Sequence, residues 1–231
     1  MPIFDKYKTI FIHIPKCGGS SVNTMMGIHE IFDKNRMKGW MHEQVRKGDK
    51  EIMYGNTIRK GYYYELDHSL FCHILEKHPE KCLNYFKFAV VRDPYERILS
   101  EFFYFNDRFI KKTNDKPEDF KKFIFELKSR WNEINTMDHY KYSHFYPQYY
   151  FTNILDPNNP GCAMDYICKL EEIDKLCEVL KENIGYDFVI KKENVGSKKA
   201  NINKEEYLTL ENKEIIYELY NKDFVQFGYD K

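Results

Sequence analysis

A group of residues suited to anion binding follows the first apolar segment of the chain, in the stretch FIHIPKCGGSS at 11–21. A lysine supplies positive charge, two glycines let a ligand approach the backbone because they lack a Cβ, and two serines supply hydroxyl groups. A loop of this kind between a strand and a helix points its N–H groups at an anion. The pattern therefore indicates a phosphate- or sulfate-binding loop, with an ordinary strand-to-helix turn as the alternative. The residues concerned are Lys16, Cys17, Gly18, Gly19, Ser20 and Ser21.

The order of these residues separates the loop from the nucleotide type. A P-loop for ATP or GTP has the pattern GxxxxGK[ST], in which the lysine follows the glycines. Here Lys16 precedes Gly18 and Gly19. Cys17 stands next to the lysine, where a thiol would be activated, but no histidine partner is placed for it by the sequence. The loop is therefore interpreted as a binding loop, and a nucleophilic cysteine enzyme is the less favoured alternative.

A second candidate anion site lies in FAVVRDPYERILSEF at 88–102. Arg92 directly follows an apolar run, at the position where open α/β sheets bind ligands. Ser100 stands about two helical turns further on. A guanidinium fork and a hydroxyl group can share one phosphate. The alternative is that Arg92 makes a local cap or ion pair and that Ser100 is a small core residue.

The elements that must position these residues alternate between strand and helix patterns. Asp93, Pro94 and Glu96 have the residue types of an N-cap, a first helical position and an N3 position. Alternation of this kind predicts an α/β fold with a mostly parallel sheet, and no domain boundary interrupts residues 1–231. Strands are predicted over 8–14, 86–91, 164–170 and 186–190, helices over 20–32, 95–105, 118–134, 172–183 and 212–227, and a loop over 141–161.

Composition narrows the function classes. Lys+Arg and Asp+Glu are 36 each in 231 residues, so the net charge is zero, which argues against a nucleic-acid or other general polyanion binder. No apolar run reaches the length of a membrane span, and the N-terminus lacks the pattern of a signal peptide, so a cytoplasmic protein is expected. Six cysteines without CxxC pairs predict reduced thiols, with a Cys72–Cys82 or Cys162–Cys168 bridge as the alternative.

Both candidate sites resemble motifs of one known family, the sulfotransferases that use 3′-phosphoadenylyl sulfate (PAPS). IFIHIPKCGGSSV is similar to their 5′-phosphosulfate loop, and YFKFAVVRDPYERILSEFF to their 3′-phosphate motif. The chain resembles in particular the heparan sulfate 2-O- and chondroitin 4-O-sulfotransferases and their bacterial relatives. HFYPQ, MDYICKLEEID, ENVGSKK and LYNKDFVQFGY resemble later segments of that family. Lys169 and Leu170 stand where the family usually has Arg-Phe, and Asp93 stands where bacterial members commonly have Asn.

The resemblance implies a fold and a donor. The fold would be a single three-layer domain with a P-loop-NTPase-like arrangement, and the reaction would be sulfuryl transfer from PAPS to a hydroxyl, leaving 3′,5′-ADP and using no metal. The loop residues from Lys16 to Ser21 would bind the 5′-phosphosulfate. Arg92 and Ser100 would bind the 3′-phosphate, with Lys198 and Lys199 closing over it.

The resemblance also implies a general base for the acceptor hydroxyl. The family places a catalytic histidine between the two motifs, and His68 in ELDHS matches that position. His144 in HFYPQ is the second candidate and Glu43 a weaker one, whereas His13, inside a strand, is expected to be structural. The acceptor is expected to be a carbohydrate, and the sequence does not indicate an oligomeric state. Two other functions remain as alternatives, a P-loop-like nucleotide kinase and a catalytically silent nucleotide-binding module.

Overall fold

A computed structural model describes residues 3–26, 51–54, 57–60, 68–109, 115–136, 140–154, 161–190 and 202–231. Within these ranges the chain divides into two compact units. The first comprises Met1–Val91 and Tyr150–Asn194, and the second comprises Arg92–Tyr149 and Val195–Lys231. Each unit has a core of its own.

The first unit contains a four-stranded sheet in the order β1-β2-β5-β8. These strands are β1 (Ile3–Phe4), β2 (Thr9–Ile12), β5 (Phe86–Val91) and β8 (Tyr166–Lys169). β2 pairs with β5 and β5 with β8 in parallel, whereas β1 pairs with β2 antiparallel. The α/β fold with a mostly parallel sheet is therefore confirmed. Two short antiparallel pairs, β3 (Glu51–Tyr54) with β4 (Thr57–Lys60) and β6 (Asn153–Ile154) with β7 (Gly161–Cys162), lie outside this sheet.

The described helices include two, Phe71–Lys77 and Pro79–Asn84, that the sequence patterns did not predict, and several helices follow one another without a described strand between them. In the first unit they are α1 (Gly19–Met25), α2 (Phe71–Lys77), α3 (Pro79–Asn84) and α8 (Lys175–Ile184). In the second unit they are α4 (Pro94–Phe109), α5 (Pro117–Ser129), α6 (Trp131–Asn135), α9 (Lys204–Tyr207) and α10 (Leu210–Phe227). The short helix α7 (Gln148–Thr152) includes the boundary between the two chain ranges.

The core of the first unit is built on one face of the sheet. Phe11 of β2 and Phe88 of β5 are paired in register, with ring centroids 5.1 Å apart. Val22 of α1 and Leu176 of α8 pack against the same cluster and are fully buried. Because both faces of β2 are buried, its sequence is a continuous apolar run and not an alternating one.

The core of the second unit is mainly aromatic. Phe102 of α4 contacts Phe120 and Phe123 of α5 at centroid distances of 5.2 and 5.6 Å, and all three are fully buried. Tyr220 of α10 is also buried, and its hydroxyl donates to the carbonyl of Phe145 at 2.7 Å. The high aromatic content of the sequence therefore fills this interior with ring contacts.

Several predicted elements differ from the structure. The helix predicted over 118–134 is two helices, because Arg130 (φ −98°, ψ 6°) leaves the helical conformation. The loop predicted over 141–161 contains a 3-10 helix (Tyr140–Phe145) and helix α7. The strand predicted over 186–190 is wrong. Among the described residues no strand pairs with the outer side of β8, and Tyr186 and Phe188 pack on Tyr7 instead, at 4.6 and 5.2 Å.

No described helix has the length and apolar character needed to cross a membrane. All six cysteines are free, and burial raises the pKa of Cys82 and of Cys168 to about 11. These two thiols are therefore poor nucleophiles.

Candidate functional site

The loop between β2 and α1 has an unusual backbone. Lys16 has φ 61° and Gly18 has φ 78°, so both adopt the left-handed conformation. Glycine adopts it freely, but for lysine it costs on the order of 1 kcal/mol or more. Strain of this kind concentrates at functional sites, where the surrounding structure holds it. Lys8, His68 and Asp115 share this conformation, so the strain at Lys16 is consistent with a functional loop but is not unique to it.

Both glycines are required by close contacts. A Cβ on Gly19 would lie 1.8 Å from Nε2 of His13, and a Cβ on Gly18 would lie 2.6 Å from Cδ1 of Leu170. The His13 ring therefore lies directly against the backbone at the start of α1. Leu170, at a position where the sequence departs from the family pattern, packs against the loop.

The backbone N–H groups of the loop differ in whether they donate to a carbonyl of the protein. Those of Cys17 and Ser21 donate within the protein, to the carbonyls of Ile14 (3.4 Å) and Gly18 (3.0 Å). Those of Gly18, Gly19 and Ser20 donate to no backbone carbonyl among the described residues. The donors that remain for an anion are consequently these three. The thiol of Cys17 is buried and donates to the carbonyl of Pro15 at 3.4 Å, so it faces the protein interior.

The structure places His68 next to this loop. Its Nδ1 lies 3.0 Å from the carbonyl oxygen of His13, and the two imidazole rings are 4.5 Å apart. Since a carbonyl only accepts, Nδ1 carries the proton and Nε2 of His68 is the proton acceptor in the neutral ring. His68 also has a left-handed backbone, with φ 63°. Two residues far apart in sequence are thereby brought together at the end of β2. From the sequence alone, only a structural role is expected for His13.

In the second unit, both the backbone and the side chain of Arg92 make polar contacts within the protein. The amide of Gln148 accepts from Arg92 N–H at 2.9 Å and donates to Arg92 C=O at 2.8 Å. The guanidinium is 3.2 Å from the carboxylate of Glu96, which Lys204 also contacts at 2.8 Å. Ser100 lies on helix α4, as Glu96 does, and is buried.

The start of helix α4 is capped as the sequence predicts. The carboxylate of Asp93 accepts from the N–H groups of Tyr95 (2.8 Å) and Glu96 (3.1 Å), and Pro94 is the first helical residue. This capping fixes the chain immediately after Arg92.

His144 forms a carboxylate–imidazole pair that sequence reasoning missed. Its Nδ1 is 3.1 Å from Glu101, whose carboxylate is fully buried. Arg97, also fully buried, donates to the carbonyl of His144 at 2.8 Å, and the ring of Tyr104 stacks on the imidazole at 5.6 Å. A signal existed in the sequence, because Arg97 and Glu101 interrupt the apolar stripe of an amphipathic helix at (i, i+4) spacing.

Asp223 of α10 is a further buried acid that the sequence analysis did not select. Its two oxygens accept from the N–H groups of Gln148 (2.7 Å) and Tyr149 (2.9 Å). Burial raises the pKa of Asp223 to about 6, although Arg97 and these hydrogen bonds act in the opposite direction.

Some predicted residues lie outside the described part of the chain. They are Glu43, Lys198 and Lys199. Within the described part, no group of His, Cys, Asp and Glu side chains could hold a metal ion.

The first unit thus has an α/β fold with a glycine-containing loop between the parallel strand β2 and helix α1. A family model described as "Sulfotransferase family" matches residues 1–230. The chain therefore belongs to the sulfotransferase family, whose members transfer sulfuryl groups and generally use PAPS as the donor. No curated protein and no solved structure matched the chain in the other two comparisons.

Proposed function

We propose that this protein transfers the sulfuryl group of PAPS to a hydroxyl group of an acceptor, with His68 as the general base. A carbohydrate is the favoured acceptor. The observation that carries the proposal is the hydrogen bond between His68 Nδ1 and the carbonyl of His13, which is three residues before Lys16. It brings the histidine that the family resemblance selects to the loop that the same resemblance assigns to the phosphosulfate.

The chemistry of the step matches these groups. The acceptor oxygen attacks sulfur in line, the bond from sulfur to the 5′-phosphate oxygen breaks, and the acceptor proton moves to Nε2 of His68. Histidine suits this role at neutral pH, because the free imidazole changes its charge between about pH 5 and pH 8. Negative charge grows on the leaving 5′-phosphate oxygen. Lys16 and the N–H groups of Gly18, Gly19 and Ser20 would stabilise that charge.

The 3′-phosphate of the donor is assigned to Arg92 and Ser100. The fixed backbone of Arg92 supports this, because a bidentate guanidinium is useful only when its direction is set. Glu96, one of its partners, shares its carboxylate with Lys204, so a doubly charged phosphate can compete with Glu96 for the guanidinium. Lys198 and Lys199 remain in the proposal as residues that close over the same phosphate.

His144 is the second candidate for the base. Its Nδ1–H bond to buried Glu101 also leaves Nε2 as the proton acceptor, and the carboxylate would stabilise the imidazolium. We rank it after His68 because the family resemblance places the catalytic histidine between the two cofactor motifs.

Matched alanine variants distinguish the two histidines. His68→Ala is expected to lower kcat by about a hundredfold or more, as loss of a general base does, and to leave the Kd for 3′,5′-ADP within about twofold. His144→Ala serves as the comparison. If His68→Ala keeps full turnover while His144→Ala loses it, His144 is the base.

The two alternative functions have their own outcomes. A nucleotide kinase would bind ATP–Mg²⁺ and not 3′,5′-ADP, which would contradict the sulfotransferase proposal. A silent binding module would bind 3′,5′-ADP and PAPS but release no 3′,5′-ADP with any sugar or alcohol in an acceptor panel.

A further inference from the structure

The side-chain amide of Gln148 hydrogen-bonds both peptide groups of one residue, Arg92. Its oxygen accepts from Arg92 N–H at 2.9 Å, and its nitrogen donates to Arg92 C=O at 2.8 Å. Gln148 is fully buried. An amide used in this way fixes the orientation of both peptide groups of Arg92, and a side chain without donors or acceptors cannot replace it.

Gln148 is in turn held by Asp223. One carboxylate oxygen accepts from Gln148 N–H at 2.7 Å, and the other accepts from Tyr149 N–H at 2.9 Å. Asp223 is fully buried on α10, so its hydrogen bonds are not in competition with water. Asp223, Gln148 and Arg92 are therefore joined by a continuous chain of hydrogen bonds from a buried carboxylate to the arginine backbone.

We propose that Gln148, supported by Asp223, is a positioning residue that directs the guanidinium of Arg92 and thereby sets the preference of the protein for ligands that carry a 3′-phosphate. The inference rests on the proposed function, since it assumes that Arg92 binds this phosphate. In this role Gln148 acts through the backbone of Arg92.

The position of these hydrogen bonds in the chain explains how they would set the direction of the Arg92 side chain. Arg92 is the first residue after β5, and the helix that begins at Pro94 is capped by Asp93. The chain direction is thus fixed after Arg92 by the cap, and Gln148 fixes the peptide groups of Arg92 itself. With both constraints the Cα–Cβ bond of Arg92 has one orientation. Without Gln148, the guanidinium would have to find the phosphate from several orientations, and selectivity would fall.

The test compares two ligands that differ only in the 3′-phosphate, 3′,5′-ADP and 5′-AMP, by isothermal titration calorimetry. The wild type is expected to bind 3′,5′-ADP more tightly. Gln148→Met keeps a side chain of similar length but removes both hydrogen bonds. It is expected to lower the affinity for 3′,5′-ADP by about tenfold or more, while the affinity for 5′-AMP stays within about twofold.

Two further variants keep the test decisive. Asp223→Asn retains the shape of the side chain and is expected to reduce the ligand preference in the same direction, which covers the case in which Gln148→Met does not fold. Tyr220→Phe removes a buried hydrogen bond of the same unit that does not involve Arg92, so it controls for general loosening. It is expected to keep the wild-type ratio of affinities.

The outcomes separate this inference from the proposed function. If the wild type prefers 3′,5′-ADP and folded Gln148→Met or Asp223→Asn keeps that preference, the positioning role is wrong and the function stands. Equal losses for the two ligands would also overturn it, since they indicate a merely structural role. If the wild type itself shows no preference, the assignment of Arg92 fails and the inference fails with it.

Discussion

The contact between Gly19 and His13 gives the sharpest structural prediction. A Cβ at Gly19 would lie 1.8 Å from Nε2, 1.9 Å from Cδ2 and 2.7 Å from Cε1 of the His13 ring. Ordinary contact begins at 3.4 Å, so the ring or the loop would have to move by about 1.5 Å in Gly19→Ala. Overpacking of this kind costs about 1–3 kcal/mol. We therefore expect the free energy of unfolding to fall by about 2 kcal/mol.

Urea unfolding of a matched series isolates the clash. Gly161→Ala places a Cβ in open space and is expected to change stability by less than about 0.5 kcal/mol. Gly185→Ala also meets nothing within 4 Å, but its φ of 74° predicts a loss of about 1–2 kcal/mol from backbone strain alone. In the double variant Gly19→Ala with His13→Ala, the Cβ enters the space left by the ring.

The coupling in this double variant is the critical quantity. The double variant is expected to be more stable than the sum of the two single effects predicts, by about 1–2 kcal/mol. Gly19→Ala is also expected to weaken binding of 3′,5′-ADP, because the displaced loop carries the N–H donors. Wild-type stability and affinity in Gly19→Ala, or strictly additive single effects, would refute the reasoning.

Three further predictions concern charged side chains. Lys16→Ala is expected to lower kcat by about 100- to 1000-fold with a smaller effect on 3′,5′-ADP affinity, because the lysine stabilises charge that develops during transfer. Arg92→Ala is expected to act chiefly on affinity and to weaken binding of 3′,5′-ADP about 10- to 100-fold in calorimetry, because a charged hydrogen bond is lost. Equal effects of the two variants on kcat and Kd would contradict these roles. For Asp223, the folded-state pKa of about 6 lies above the ordinary value of 3.8 for an aspartate, so its contribution to stability is present at low pH and is lost as the pH rises through 6. The free energy of unfolding of the wild type, relative to Asp223→Asn, should fall by about 3 kcal/mol between about pH 4 and pH 8 in urea titrations, and a constant difference would be the contrary result.

Local patterns predicted the elements that carry the site. The apolar run FKFAVV gave the bounds of β5 without error, and the Asp-Pro pair after it marked the cap of α4. Both features can be recognised from a few consecutive residues, because a continuous apolar run is typical of a buried strand and an Asp-Pro pair is typical of a helix N-terminus. The same holds for Gly185, which ends α8 with φ 74° as predicted.

Long-range hydrogen bonds account for what the sequence did not indicate. The contacts of Gln148 with Arg92 and with Asp223 join residues that are 56 and 75 positions apart. No periodicity encodes such a pair, because a buried polar residue is compatible with many partners. The strand predicted over 186–190 failed for a related reason, since its alternating pattern is present but a strand also needs a neighbour. The pairing of His68 with His13 O, 55 positions away, was likewise visible only in the structure.

The central claim is tested most directly by following labelled sulfate from PAPS to an acceptor. With ³⁵S-labelled PAPS and a panel of polysaccharides, oligosaccharides and simple alcohols, the wild type is expected to transfer the label to at least one hydroxyl acceptor and to release an equal amount of 3′,5′-ADP. His68→Ala is expected to bind the donor and transfer about a hundredfold less. Tight binding of ATP–Mg²⁺ without binding of PAPS, or undiminished transfer by His68→Ala, would contradict the account.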